Sequence, residues 1–390
     1  MAINDKVIEV NKFGVGSLQT DLTDIWSGAD GTGSQIIAKP LPLNTGELLY
    51  VSSTSANDVD QGTGAWKIIL SGQDAQGLLQ QEEIILNGQT QVETTKRYRR
   101  VCRAWVSAAA SDTGQDGKIY IGRQGATGGV PDTPEDNVFA IIADEVLTGQ
   151  DFSANQTQMA CYTVPVGYEA KMYEIRCAAE ASGADIIFYI RTKDSYDDSA
   201  VWRVRENIYT GSTGVGRRTY AVNARFTEGT DIQISGSAST NDQEASASFD
   251  LIVERVRDVA ANMAGDLTVS DLTATGFKVS WLDVENDNFS DGFEITITAT
   301  GFEEVYSVSK GVLEFVFDGL TEGTEYTVEV RNTWGEALSN ALTTTATPGG
   351  GGGSGLLPAT GFFSFAGNSS SVGYVEGCLL YTSPSPRDRG

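Results

Sequence analysis

The chain has 390 residues, which at about 100–200 residues per domain allows two to four domains. It carries 44 glycines, 40% hydrophobic residues and only 20% charged residues, a balance that suits turns and strands better than helical bundles or disorder. Its 27 Lys+Arg against 52 Asp+Glu leave a net charge of −25, which repels nucleic-acid phosphate and anionic membranes, and the absence of histidine removes His-based triads and His metal sites.

Met1 to Lys6 lacks the apolar core of a signal peptide, and no stretch of 18 apolar residues follows, so neither export by the secretory route nor membrane insertion is expected. From there the pattern is strand after strand. Short apolar stretches at 48–51, 66–70, 84–86, 119–121 and 186–190 recur between Gly, Asn, Asp and Ser clusters. Asn87-Gly88 lies between two of them and reads as a tight hairpin turn, because both residues tolerate positive φ. The Gly- and Pro-rich segment 125–134 and the polar run 148–156 are seams. Ala247, Phe249, Leu251 and Val253 then alternate with mostly polar neighbours, as a half-buried strand requires. The expected fold class is all-β: tandem β-sandwich or jelly-roll-like domains at 1–150 and 151–258, with a further sandwich behind them. Whether the first two share a core is not readable from the pattern.

The unit at 264–348 is more sharply defined. Phe277, Val279 and Trp281, then Phe293, Ile295 and Ile297, then Tyr326, Val328 and Val330 each alternate with polar residues. Leu267, Trp281, the stretch Leu320-Thr-Glu-Gly-Thr-Glu-Tyr326 and Asn332-x-x-Gly335 together resemble a fibronectin type III domain. That resemblance implies a seven-stranded sandwich with a spacing or binding role. A Gly-rich linker at 349–355 and the start of a further β-domain at 356–377 follow. Residues 378–390, with Cys378-Leu-Leu-Tyr-Thr-Ser-Pro-Ser-Pro-Arg-Asp388, resemble a translated sequencing adapter, which implies a reading frame from an environmental assembly that ran off the gene. The natural protein is therefore expected to be longer.

Chemistry-bearing motifs are sparse. Asp283, Glu285, Asp287, Asp291 and Glu294 match a calcium-loop spacing, but Asn288 stands where that loop needs Gly and both flanks alternate as strands. An acidic connection between two strands is the plainer reading, with calcium as the alternative and no other cofactor or metal expected. The run Lys96-Arg-Tyr-Arg-Arg100-Val-Cys-Arg103 could meet phosphates, yet in so acidic a chain it is expected to dock on an acidic neighbour. Gly211 to Arg218 lacks the Lys-Ser/Thr ending of a phosphate loop and reads as a hairpin. Cys102, Cys161, Cys177 and Cys378 show no metal or disulfide spacing and read as small buried apolar residues.

Phrases such as Tyr50-Val-Ser-Ser-Thr-Ser-Ala-Asn-Asp58 and Gln158-Met-Ala-Cys-Tyr-Thr-Val-Pro-Val-Gly167 resemble β-rich virion structural proteins of tailed phages, marine ones in particular, over roughly 1–258. This resemblance implies a non-enzymatic particle component, assembled in the host cytoplasm and released by lysis, with 1–258 anchored to capsid or tail and the C-terminal modules displayed. Other virion proteins and further copies of the chain are the expected partners. A tail-fibre-like adhesin for host glycans is the alternative. A depolymerase or glycosidase with an accessory module is a second alternative.

Overall fold

The computed structural model describes residues 6–25, 46–111, 114–144, 155–180, 184–193, 200–210 and 214–349. The expected features at 350–390 and at Cys378 lie outside these residues. The expected fold class is what is observed: among the described residues the sheets are antiparallel throughout, with a single helical turn at Pro134–Asn137 and a three-residue 3-10 turn at Asp287–Phe289. No helix among the described residues is long and apolar enough to cross a membrane.

The first sandwich packs two sheets. One runs in the order Val138–Ile142, Ile119–Gly122, Glu47–Ser53, Val92–Tyr98; the other runs Leu79–Ile85, Ala65–Gln73, Arg100–Ala109. Period-two alternation turns Leu49 and Val51 from one sheet and Ile68 and Leu70 from the other into a common apolar cluster, all fully buried. The second sandwich has one sheet ordered Val7–Leu18, Gln243–Arg255, Tyr168–Glu180, Gly214–Phe226. Its other sheet is ordered Cys161–Thr163, Asp231–Ala238, Ile186–Lys193, Arg203–Tyr209. Leu18, Phe188, Ile234 and Phe249 fill a separate core, so the two sandwiches have distinct apolar clusters.

The N-terminal strand Val7–Leu18 belongs to the second sandwich. It pairs with Gln243–Arg255 over its whole length, from Val7 opposite Glu254 to Leu18 opposite Gln243. A boundary drawn at about residue 150 assigns this strand to the first sandwich, because sequence alternation identifies a strand but not its partner. Gly14 lets it pass close to the opposite sheet: a Cβ there would stand 2.2 Å from the Ile25 carbonyl oxygen.

One turn differs from expectation. Gly88 has φ +57° and the Thr90 amide donates to the Asn87 carbonyl at 3.1 Å, so the turn at Asn87-Gly88 forms. The strands on either side, however, enter different sheets, so the connection crosses between the layers of the sandwich and closes no hairpin. Local turn chemistry is the same for both outcomes. The hairpin expected at Gly211 to Arg218 begins outside the described residues, and the strands on either side of it, Arg203–Tyr209 and Gly214–Phe226, belong to different sheets.

The C-terminal sandwich has the seven strands expected, plus a two-residue strand at Ala337–Leu338. One sheet is ordered Thr268–Ser270, Phe277–Ser280, Glu314–Phe317. The other is ordered Phe302–Ser309, Gly292–Ala299, Tyr326–Trp334, Ala337–Leu338, with Leu342–Ala346 also on Tyr326–Trp334. Trp281 is buried and meets Phe293 edge-on at 5.5 Å between ring centroids. This core also takes in residues from outside 264–348, namely Leu78 of the first sandwich and Ala260, Ala261 and Met263 of the connecting segment.

Candidate functional site

The basic run turns inward. On the strand Arg100–Ala109, Arg100 shares the face of Cys102 and Ala104, and all three are buried. The Arg100 guanidinium grips the Asp231 carboxylate through Nε and Nη2, each 3.2 Å from its oxygen. The Thr163 hydroxyl donates to the same carboxylate at 2.5 Å, and the Gln73 amide donates to the Thr163 carbonyl at 2.7 Å. Of the run, Arg100 meets an acidic neighbour, Asp231 of the second sandwich. Arg99 is buried with a bond to the Ala75 carbonyl at 3.3 Å, Lys96 donates to the Gln81 carbonyl at 3.1 Å, and Arg103 donates to the Gln156 side chain. Arg97 alone of the five cations is exposed.

Within the second sandwich, Asp24 accepts from Arg191 at 2.7 Å and from the Ser235 hydroxyl at 2.6 Å, and Arg191 also lies over the Trp202 ring at 5.2 Å. Lys12 reaches from the N-terminal strand to donate to the Cys102 carbonyl. Cys102, Cys161 and Cys177 are free thiols. Burial pushes them up to about 12, about 11 and about 12 respectively, so they stay protonated at neutral pH.

The acidic segment 283–294 does not assemble into a cation cage. Asp283 caps the Val284 amide at 2.9 Å, and Glu285 is exposed. Asp287 pairs with Lys310 at 3.2 Å, and Asp291 accepts from the Gly335 amide at 2.7 Å. Glu294 sits within a strand opposite Arg331. Among the described residues, no group of three or more Cys, Asp or Glu is placed to hold a metal ion. The segment is instead the connection between two strands, and it carries Val284 and Phe289 into the apolar core.

What sequence reasoning missed is the latch this segment forms. Asn286, buried, donates to the Asp74 carboxylate at 2.8 Å and to the Leu79 carbonyl at 3.2 Å. The other Asp74 oxygen accepts from the amides of Gln76 and Leu78 at 2.8 and 2.9 Å, which shapes the turn that presents Leu78 to the C-terminal core. Burial pushes the Asp74 carboxyl above its ordinary range, and these hydrogen bonds pull it partly back. Asn332, fully buried, donates to the carbonyls of Ala261 and Phe289 at 2.8 and 2.9 Å, stapling the connecting segment to the sandwich. Asp74-Ala-Gln-Gly77 announces a turn in the sequence; nothing local announces its partner.

The C-terminal sandwich presents acid to the outside. Its three cations are all paired within it: Lys278 with Asp271 and Glu314, Lys310 with Asp287, Arg331 with Glu329. With 3 Lys+Arg against 15 Asp+Glu in 264–348, the net charge is 3 − 15 = −12. An arrangement of this kind can repel like neighbours and bind through a surface.

The fibronectin type III domain model matches residues 263–345. No curated protein matches the chain. Among solved structures, the chain is similar to the fn3 domain of the human collagen alpha-1(XX) chain, at 18% identity over 25% of this chain and 92% of that one, TM-score 0.22. It is similar to the third fibronectin III domain of human KIAA0343 protein at 19% identity, over 27% of this chain and 91% of that one, TM-score 0.23. The FN5 domain of Drosophila Lar is 22% identical over 24% of this chain and all of that one (100%), TM-score 0.20. Strand order, the buried Trp281 and the family match together make residues 263–345 a fibronectin type III domain, a module of adhesive and structural proteins.

Proposed function

We propose that the protein is a non-enzymatic structural or decoration component of a tailed-phage virion, acting by binding and assembly. Residues up to about 258 anchor it to capsid or tail among other virion proteins and further copies of itself. The fibronectin type III domain points outward. The observation that carries this reading is the asymmetry of charge along one continuous body. The C-terminal domain holds −12, while the remaining residues hold 24 Lys+Arg against 37 Asp+Glu, a net of −13 over a much longer stretch. Acidic display modules repel one another and stay soluble, and the less charged body packs more readily against a shell. The resemblance of 1–258 to β-rich virion proteins supports the same reading, as does the latch, which holds the domain at a defined place on the body.

Sedimentation of a lysate from a host carrying the gene tests this. The chain is expected to travel with intact particles at a stoichiometry of many copies, and an antibody against 263–345 is expected to decorate them. Recovery only in the soluble fraction overturns the reading. Turnover of a polysaccharide panel, abolished by replacing one carboxylate pair, would establish the hydrolase alternative instead.

A further inference from the structure

Between the N-terminal strand and the sheet Leu79–Ile85, Ala65–Gln73, Arg100–Ala109 lies a cavity of about 110 Å³. Ile8, Val10, Leu79 and Tyr162 give it an apolar wall, and two cations, Lys12 and Arg103, line it as well. Lys12 is 6% exposed. Its ammonium donates to the Cys102 carbonyl, and no carboxylate among the described residues forms an ion pair with it. Glu9 and Asn11 also border the space, but alternation along the strand sends their side chains to the opposite face. There Glu9 accepts from the Tyr173 hydroxyl at 3.1 Å and Asn11 donates to Asp250.

A buried ammonium is costly unless it loses its proton or meets an anion. Burial does pull Lys12 below the ordinary lysine range. The cost is unusual for a purely structural side chain at this position. Val10, two residues earlier on the same face, shows that an apolar residue packs against the same core.

We propose that this cavity is a binding site for a small aliphatic monocarboxylate, its carboxylate on the Lys12 ammonium with Arg103 alongside and its hydrocarbon tail against Ile8, Val10, Leu79 and Tyr162. An apolar cavity of roughly 150 Å³ accommodates a six-carbon ring, so the smaller volume here suits an acid of about two to four carbons. The anion supplies the counter-charge that Lys12 lacks, and the tail covers the apolar wall.

Calorimetric titration of the full chain at neutral pH with butanoate, butan-1-ol and butylamine tests the site. Butanoate is expected to saturate one site and to bind at least about tenfold more tightly than butan-1-ol, as a charge-assisted hydrogen bond provides. Butylamine is expected not to bind. Lys12→Met, which keeps the length and the packing, is expected to reduce butanoate to the level of butan-1-ol. Arg103→Gln is expected to weaken it by about threefold, as the loss of a half-exposed charge does. Equal binding of the acid and the alcohol, no saturable binding of butanoate, or an unchanged affinity in Lys12→Met would each overturn the proposal. The comparison of the three probes on the unaltered chain decides the matter even if Lys12→Met does not fold.

Discussion

Arg100 and Asp231 meet with both carboxylate oxygens engaged and side chains only 8% and 10% exposed. Two charges withdrawn from water gain little net stability from each other, but removing one strands the other in a low-dielectric seam. Arg100→Met is therefore expected to destabilise the full chain by about 3–5 kcal/mol in urea unfolding. The double variant Arg100→Met with Asp231→Leu is expected to recover all but about 1 kcal/mol, the remainder being the hydrogen bond lost from Thr163. Additive losses in the double variant would mean that the two side chains act independently and that the single change strands no charge. At this scale the sequence was partly legible. A run of five cations in an acidic chain signals that an anion is needed, but 131 residues separate Arg100 from Asp231, and only the fold brings them together.

Among the elements, the turn Asp74 to Leu78 matters most, because it joins the first sandwich to the fibronectin type III domain. Leu78 is fully buried in a core made almost entirely by residues beyond 259, and Asn286 closes over it onto Asp74. The Asp74 carboxyl is raised above its ordinary 3.8 by burial, so the folded chain takes up this proton more readily than the unfolded chain does. Its contribution is fully present below the ordinary value and is lost as the pH rises through the raised one. Against Asp74→Asn, which cannot titrate, the wild type is expected to gain stability as the pH falls toward the ordinary value of 3.8, measured by urea unfolding of both chains. Parallel pH profiles would show that Asp74 is not the group responsible. Strands were the most readable elements: alternation located Phe277–Ser280, Gly292–Ala299 and Tyr326–Trp334 to within a few residues. Partners were not readable. The N-terminal strand joins residues 243–255 across more than two hundred positions, and the turn near 88 crosses between sheets, because pairing follows from burial of whole faces and not from local turn chemistry. The acidic spacing at 283–294, read foremost as a connection between strands and alternatively as a calcium loop, is understood in the same terms. Five acids at loop spacing converge only if the backbone coils around a centre, and here it runs from a strand through one 3-10 turn into another strand.

For the whole molecule, the account joins an anchoring body to an acidic module held at a fixed place on it. Lysines lie at both ends of the chain: Lys278 and Lys310 in the C-terminal domain, and Lys67, Lys118 and Lys171 on strands and loops of the body. Lysine positions therefore report which end of the chain meets the particle. Amine-reactive cross-linking of purified particles, read by mass spectrometry, tests the anchor-and-display arrangement most directly. The account predicts links from Lys67, Lys118 and Lys171 to other particle proteins or to a second copy, with Lys278 and Lys310 linked only within their own chain. Links from Lys278 and Lys310 to shell proteins, with the body lysines linked only internally, would contradict it.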